Sequence, residues 1–286
     1  MAFTNISQWA GDNLVAIQVG LLLGGRFAGF AGLLAADTGD NSGMRRLRGS
    51  IRMPVAGAPP PDRVPRIADA GIIATFTRAN TDVRRFEMEL AGPDLDFEAM
   101  IQGAVKYVLG EWDMIMRDSD TAPTDKFVII ATRYADSQEA ATLNEKGYEN
   151  LICLNSSMVA LGDDGMAVEE FGSASYDVVL DKVTTLPWGI TANTAFTLTS
   201  GGRTVVLASE YPLTMEAFIS DGSIVAVPLT YAPVTAAKTK AFNFDAATAI
   251  TVSSVDVGAK TATISAAPAS GVEIVLIYET ADIEAA

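Results

Sequence analysis

The chain has 286 residues, 49% of them hydrophobic and only 19% charged, with a mean hydropathy of +0.25. Its 35 acidic and 20 basic side chains give a net charge of −15, and it holds one cysteine and no histidine. These numbers exclude an intrachain disulfide, Ser-His-Asp or Cys-His catalysis and histidine-ligated metal, and they argue against binding nucleic acid through a basic patch.

The first notable stretch is Asn13 to Ala36, "NLVAIQVGLLLGGRFAGFAGLLAA". Its length fits a membrane span. Gln18, Arg26 and five glycines interrupt it, and no Lys or Arg precedes it as a secretion signal requires. The expectation is therefore a strand at Leu14–Leu23, a glycine-rich turn and an apolar contact surface, with no membrane partner and a cytoplasmic site of synthesis.

A loop, "DTGDNSG" (37–43), leads into "GMRRLRGSIRMPVAGAPPPDRVPR" (43–66). This stretch carries Arg45, Arg46, Arg48, Arg52, Arg63 and Arg66, and five of the chain's twelve prolines. Residues 1–90 hold ten basic and eight acidic side chains, whereas residues 91–286 hold ten and 27. Arginine makes bidentate pairs with carboxylates. Leu47, Ile51, Met53, Val55, Val64 and Ile67 need a surface to cover them. Residues 37–68 are thus expected to form an arm that docks on the acidic surface of another copy; a solvated loop is the alternative. Deleting 43–66 should leave a folded protein that no longer polymerises.

Residues 72–77 and 83–90 predict a hairpin across Asn80-Thr81-Asp82. From 96 to 116, apolar residues from Phe97 to Met116 recur at helical spacing after Pro93 and Asp94, predicting a helix that Gly103 and Gly110 weaken. Strands are predicted at 126–135, 148–161 and 176–183, with "GDDG" (162–165) as a turn. Beyond "TTLPWG" (184–189) the composition turns to Thr, Ala and Val with regular turns. Hairpins are predicted over Ser200-Gly201-Gly202, over Asp221-Gly222, and across 249–279, with connections at Asp256–Lys260 and "AAPASG". This predicts a β-sandwich after a boundary near 190.

Chemistry is sparse. Asp163-Asp164 and Glu169-Glu170 are the densest acid pairs, but adjacent strand residues point to opposite faces. "DTGDNSG" has Arg48 where a calcium loop needs glutamate, and the aspartic-protease fold needs two DTG triplets where only one exists. No phosphate-loop motif is present. Cys153 in "LICLN" reads as a buried hydrophobe. No catalytic residue, metal or cofactor is expected.

The succession "KFVIIATRY", "GYENLICLNSSMVAL", "GDDG" and "GSASYDVVLDKV" resembles the tail tube proteins of long-tailed bacteriophages. "KTATISAAPASGVEIVLIYE" (260–279) is similar to closing strands of phage virion proteins. The resemblance implies a mainly β fold with one flanking helix. Residues 1–189 would be a sandwich- or barrel-like tube domain with arm 37–68 and helix 96–116. Residues 190–286 would be an appended immunoglobulin-like sandwich. It further implies hexameric rings stacked into a tube in the virion tail, contacts with tape measure and terminator proteins, and DNA passing through a bore. Asp163, Asp164, Glu169 and Glu170 are candidates for an acidic surface or lumen. Another virion shell protein is the alternative: a major capsid subunit, with 96–116 as its spine helix and 37–68 as its extended loop, or a decoration subunit. A carbohydrate-active sandwich enzyme fits less well, because Trp9, Trp112 and Trp188 are scattered.

Overall fold

The computed structural model describes residues 14–23, 26–30, 38–47, 50–52, 62–68, 71–78, 84–90, 95–102, 105–109, 112–116, 126–134, 147–163, 174–180, 204–246 and 248–283, in part as backbone only. The chain opens with β1 (Leu14–Leu23), β2 (Arg26–Gly29), β3 (Asn41–Gly43), β4 (Arg45–Arg46) and β5 (Ser50–Arg52). β6 (Asp62–Ala68), β7 (Gly71–Arg78), β8 (Arg84–Leu90) and helix α1 (Leu95–Gln102) follow. Next come β9 (Val105–Leu109), β10 (Trp112–Met116), β11 (Lys126–Tyr134), β12 (Tyr148–Asp163), β13 (Ala174–Leu180) and β14 (Thr204–Ser209). The last strands are β15 (Leu213–Ile219), β16 (Ala226–Pro228), β17 (Thr239–Asn243), β18 (Thr248–Ile250), β19 (Val252–Asp256), β20 (Thr261–Ile264) and β21 (Glu273–Glu279).

A central sheet runs β2-β1-β11-β12-β13-β8-β5, with β4 added to β1 and β14 to β12. A second sheet runs β18-β17-β21-β15-β3, and an outer one β16-β20-β19. The apolar runs of β1, β11 and β12 are buried on both faces, and the two-residue period of a strand divides them. Ile17, Val19, Phe127, Ile129, Leu151 and Cys153 join Phe97 and Ile101 of α1, together with inward residues of β8 and β13. Leu22, Val128, Ile130, Ile152 and Leu154 instead meet Leu213, Met215, Phe242, Val275 and Ile277 of the second sheet. The second sheet is covered again: Phe218, Ile274, Leu276 and Tyr278 pack on Val227, Leu229, Ala262 and Ile264. The layers are therefore helix, sheet, sheet, sheet. Each large side chain fully removed from water contributes about 1.5–3 kcal/mol.

Two side chains of the central sheet complete the second. At Leu213 the strand β15 runs beyond its partner β3, whose register covers only Glu216 to Phe218. Asn150 Oδ1 accepts the Leu213 N–H at 3.1 Å, and Gln18 Nε2 donates to the Leu213 carbonyl at 2.8 Å. Both side chains are fully buried. They do for one residue of β15 what a neighbouring strand would do, which buried backbone requires.

The expected strand at Leu14–Leu23 forms with those bounds, and the β19–β20 hairpin closes at 256–260, where the Ala259 N–H bonds Asp256 Oδ1 at 2.8 Å. Several expectations are corrected. The helix over 96–116 stops at Gln102; 105–109 and 112–116 are antiparallel strands, with Trp112 opposite Leu109. Gly103 and Gly110 break the helical run, and "VKYVL" and "WDMIM" are rich in residues that suit strands. The hairpin of 72–77 with 83–90 does not form: β7 pairs with β6, and β8 with β13 and β5. β15 and β16 lie in different sheets, as do β20 and β21, so neither the Asp221-Gly222 turn nor "AAPASG" closes a hairpin. The expected boundary near 190, the linker 184–189 and the Ser200-Gly201-Gly202 turn lie outside the described residues. Strands from either side of that boundary interleave, since β14 bonds to β12 and β3 to β15.

Candidate assembly site

The first part of the arginine-rich stretch, residues 43–47 and 50–52, is built into the fold. β3 joins the second sheet, β4 pairs with β1, and β5 pairs with β8. Between them Met44 enters the core beneath the second sheet and Leu47 the core beneath α1. The deletion of 43–66 would therefore remove the core residues Met44 and Leu47, and is expected to destabilise the fold. Arg45 forms an ion pair with Asp96 at 2.6 Å and lies over the Phe30 ring at 4.9 Å. Arg46 Nη1 donates to the Ile283 carbonyl at 2.7 Å. Both satisfy groups of their own chain, because the short strand β4 holds them against β1.

Arg48 lies outside the described residues, and Arg52, Arg63 and Arg66 are placed by backbone only. Arg63 and Arg66 lie on β6, whose register sets Arg63 opposite Thr77 and Val64 opposite Phe76. Among the described residues, β6 and β7 form a ribbon bonded to no other strand. A lone two-stranded ribbon is marginally stable in water, and each outer edge offers unpaired backbone groups to another strand. Asp163 is the last residue of β12, while Asp164, Glu169 and Glu170 lie outside the described residues.

The structure also exposes a set of buried polar residues that no motif singled out. Glu216, in the middle of β15, is fully buried. It accepts hydrogen bonds from Thr230 N–H at 2.7 Å, Asn41 Nδ2 at 2.8 Å, Thr230 Oγ1 at 3.3 Å and the Tyr278 hydroxyl. Burial raises its pKa and these donors pull it back. Arg133 binds buried Glu149 Oε2 at 2.7 Å through Nε, leaving Glu149 Oε1 without a partner. The signal for these residues was a charged letter inside a mostly apolar strand, as in "LTMEAFI" and "YENLICL". A charged residue in such a run must find partners when its strand is buried on both faces.

Among the described residues the arrangement offers little for chemistry. A cleft of about 340 Å³ beside β17 and β18, at the edge of the second sheet, is lined by small and apolar residues with Lys240 as its charge, and no carboxylate lines it. Cys153 is buried, which pushes its thiol far above the ordinary range and away from the reactive thiolate. Among the described residues no group of three or more potential ligands is placed to hold a metal, and no helix is long and apolar enough to cross a membrane. No protein family's sequence profile matches the chain, and no curated protein matches it either.

Proposed function

We propose that this chain is a virion structural subunit that joins copies of itself into the tail tube of a long-tailed phage, in stacked, hexameric rings. The observation that carries the reading is the β6–β7 ribbon, which has no strand neighbour among the described residues. Paired to a sheet edge of the next copy, its outer edges would gain backbone bonds, and Arg63 and Arg66 would meet an acidic neighbour. The layered, mainly antiparallel β body gives the rigid wall that a tube needs. The excess of acid beyond residue 90 would keep DNA phosphates from adhering to the bore. In this reading Asp163, Asp164, Glu169 and Glu170 face the lumen or an adjoining acidic surface. The outer and second sheets serve as the immunoglobulin-like module, α1 is the flanking helix, and the tube's ends meet tape measure and terminator proteins. The protein acts without catalysis or cofactor.

A major capsid subunit is disfavoured because its spine helix needs 96–116, and α1 spans eight residues. Negative-stain microscopy of the purified protein tests the reading. Tubes or stacked rings of uniform diameter are expected, and Arg63→Glu with Arg66→Glu should leave folded particles that do not stack. Closed shells, or monomers at every concentration, would defeat it.

A further inference from the structure

Arg26 begins β2, and its guanidinium reaches the end of the second sheet. Nη2 contacts Asp245 Oδ1 at 2.5 Å, while Nη1 lies 3.5 Å from Glu273 Oε2. The same guanidinium stacks over the Phe244 ring at 4.9 Å. Asp245 sits in the turn after β17, and Glu273 opens β21, the middle strand of that sheet. The two carboxylates differ in surroundings. Asp245's side chain is 37% exposed, whereas Glu273's is 6% exposed and its Oε1 has no partner. One cation is thus shared unequally, with the close contact going to the wetter acid.

The charged groups that act on Glu273 are Arg26 from β2 and Asp245 from the turn; its register neighbour on β15 is Ile219. Burial raises the Glu273 carboxyl to about 7, with Asp245 adding to the rise and Arg26 opposing it. An ionised Glu273 would have to draw Arg26 off Asp245 or leave a bare oxygen in apolar surroundings, and either course strains the contact between β2 and the sheet.

We propose that Glu273 is a proton-operated latch: uncharged, it lets Arg26 commit to Asp245 and pin β2 to the second sheet; ionised, it loosens that junction. The sign follows from linkage. The folded carboxyl holds its proton more tightly than the unfolded one, so the stabilisation is complete below the unfolded glutamate value and is lost as pH rises toward 7. This latch is independent of whether the chain builds tubes.

Hydrogen exchange of residues 26–30, corrected for intrinsic rate, tests it between pH 5 and 8. Exchange is expected to rise at least about tenfold across the range, one unit of pKa difference being worth a factor of ten. Glu273→Gln, which keeps the shape without the proton, should flatten the profile, and Asp245→Asn should shift its midpoint to lower pH by freeing Arg26. Carbon-13 NMR of the Glu273 carboxyl reads the same event without any substitution, with a midpoint expected near neutrality. A carboxyl midpoint at the ordinary glutamate value, or a Gln variant that keeps the wild-type profile, would overturn the proposal.

Discussion

Replacing Asn150 with Leu tests the claim that side chains of the central sheet stand in for a missing strand beside β15. Leucine has nearly the shape of asparagine, so the change removes hydrogen bonds with little change in volume. Asn150 Oδ1 accepts from the Leu213 N–H at 3.1 Å and the Thr132 hydroxyl at 2.8 Å, and its Nδ2 donates to Ser209 Oγ at 2.7 Å. Ser209 keeps its bond to the Tyr211 carbonyl. Two donors, Leu213 N–H and Thr132 Oγ1, are left in a site with no exposure at Asn150 or Thr132. A buried donor left unmade costs about 1–3 kcal/mol, so the variant should lose about 2–6 kcal/mol. Urea unfolding followed by circular dichroism measures this as a lower midpoint at constant slope. Gln18→Leu should behave similarly, and the double variant should lose less than the sum, because both side chains serve the same residue. A loss below about 1 kcal/mol for Asn150→Leu would mean that water or a small shift replaces these bonds and that the reasoning about β15 is wrong.

Three further outcomes are expected. Phe97→Ala should cost about 3–5 kcal/mol in the same assay, because Phe97 is fully buried and meets Tyr176 edge-on at 5.2 Å; a variant as stable as wild type would show that α1 does not seal the central sheet. Gly29 has φ +66°, and a Cβ there would stand 2.2 Å from the Ser42 carbonyl oxygen, so Gly29→Ala should lose more than about 1 kcal/mol, whereas unchanged thermal stability would contradict the close approach of β2 to β3. Tyr278→Phe removes one donor to Glu216, whose pKa burial already raises. Since a raised carboxylate loses stability as pH climbs, the variant's melting temperature should fall further than wild type's between pH 5 and pH 8, and parallel profiles would refute the role of the Tyr278 hydroxyl.

Much of the strand inventory was readable from local pattern. β1 is apolar at nearly every position, and β11 and β12 carry dense Val, Ile, Leu and Cys, so each reads as a strand whatever its partner. The stretch 96–116 shows the limit of the same signal. Its apolar residues fit a helical stripe, but they also fit two short strands, and the glycines at 103 and 110 were the better guide. No motif singled out Glu216 and Glu273, charges in mostly apolar strands, and their partners, Asn41, Thr230 and Arg26, come from 14 to 247 residues away. The ribbon of 62–68 with 71–78 was missed because the prolines and arginines before it suggested an irregular arm, and because its second strand also suits a hairpin with β8.

The sequence by itself determined that this is an acidic, histidine-free, strand-rich chain whose longest apolar strand sits near its beginning. These properties depend on composition and on the alternation of neighbouring side chains. The tertiary structure alone decided which strands pair, that β3 and β14 cross between the two halves, and that Arg45 and Arg46 serve their own chain. A strand's hydrogen bonds are satisfied equally well by many partners. Only the packing of three sheets at once, which buries both faces of β1, β11, β12 and β15, selects one arrangement among them.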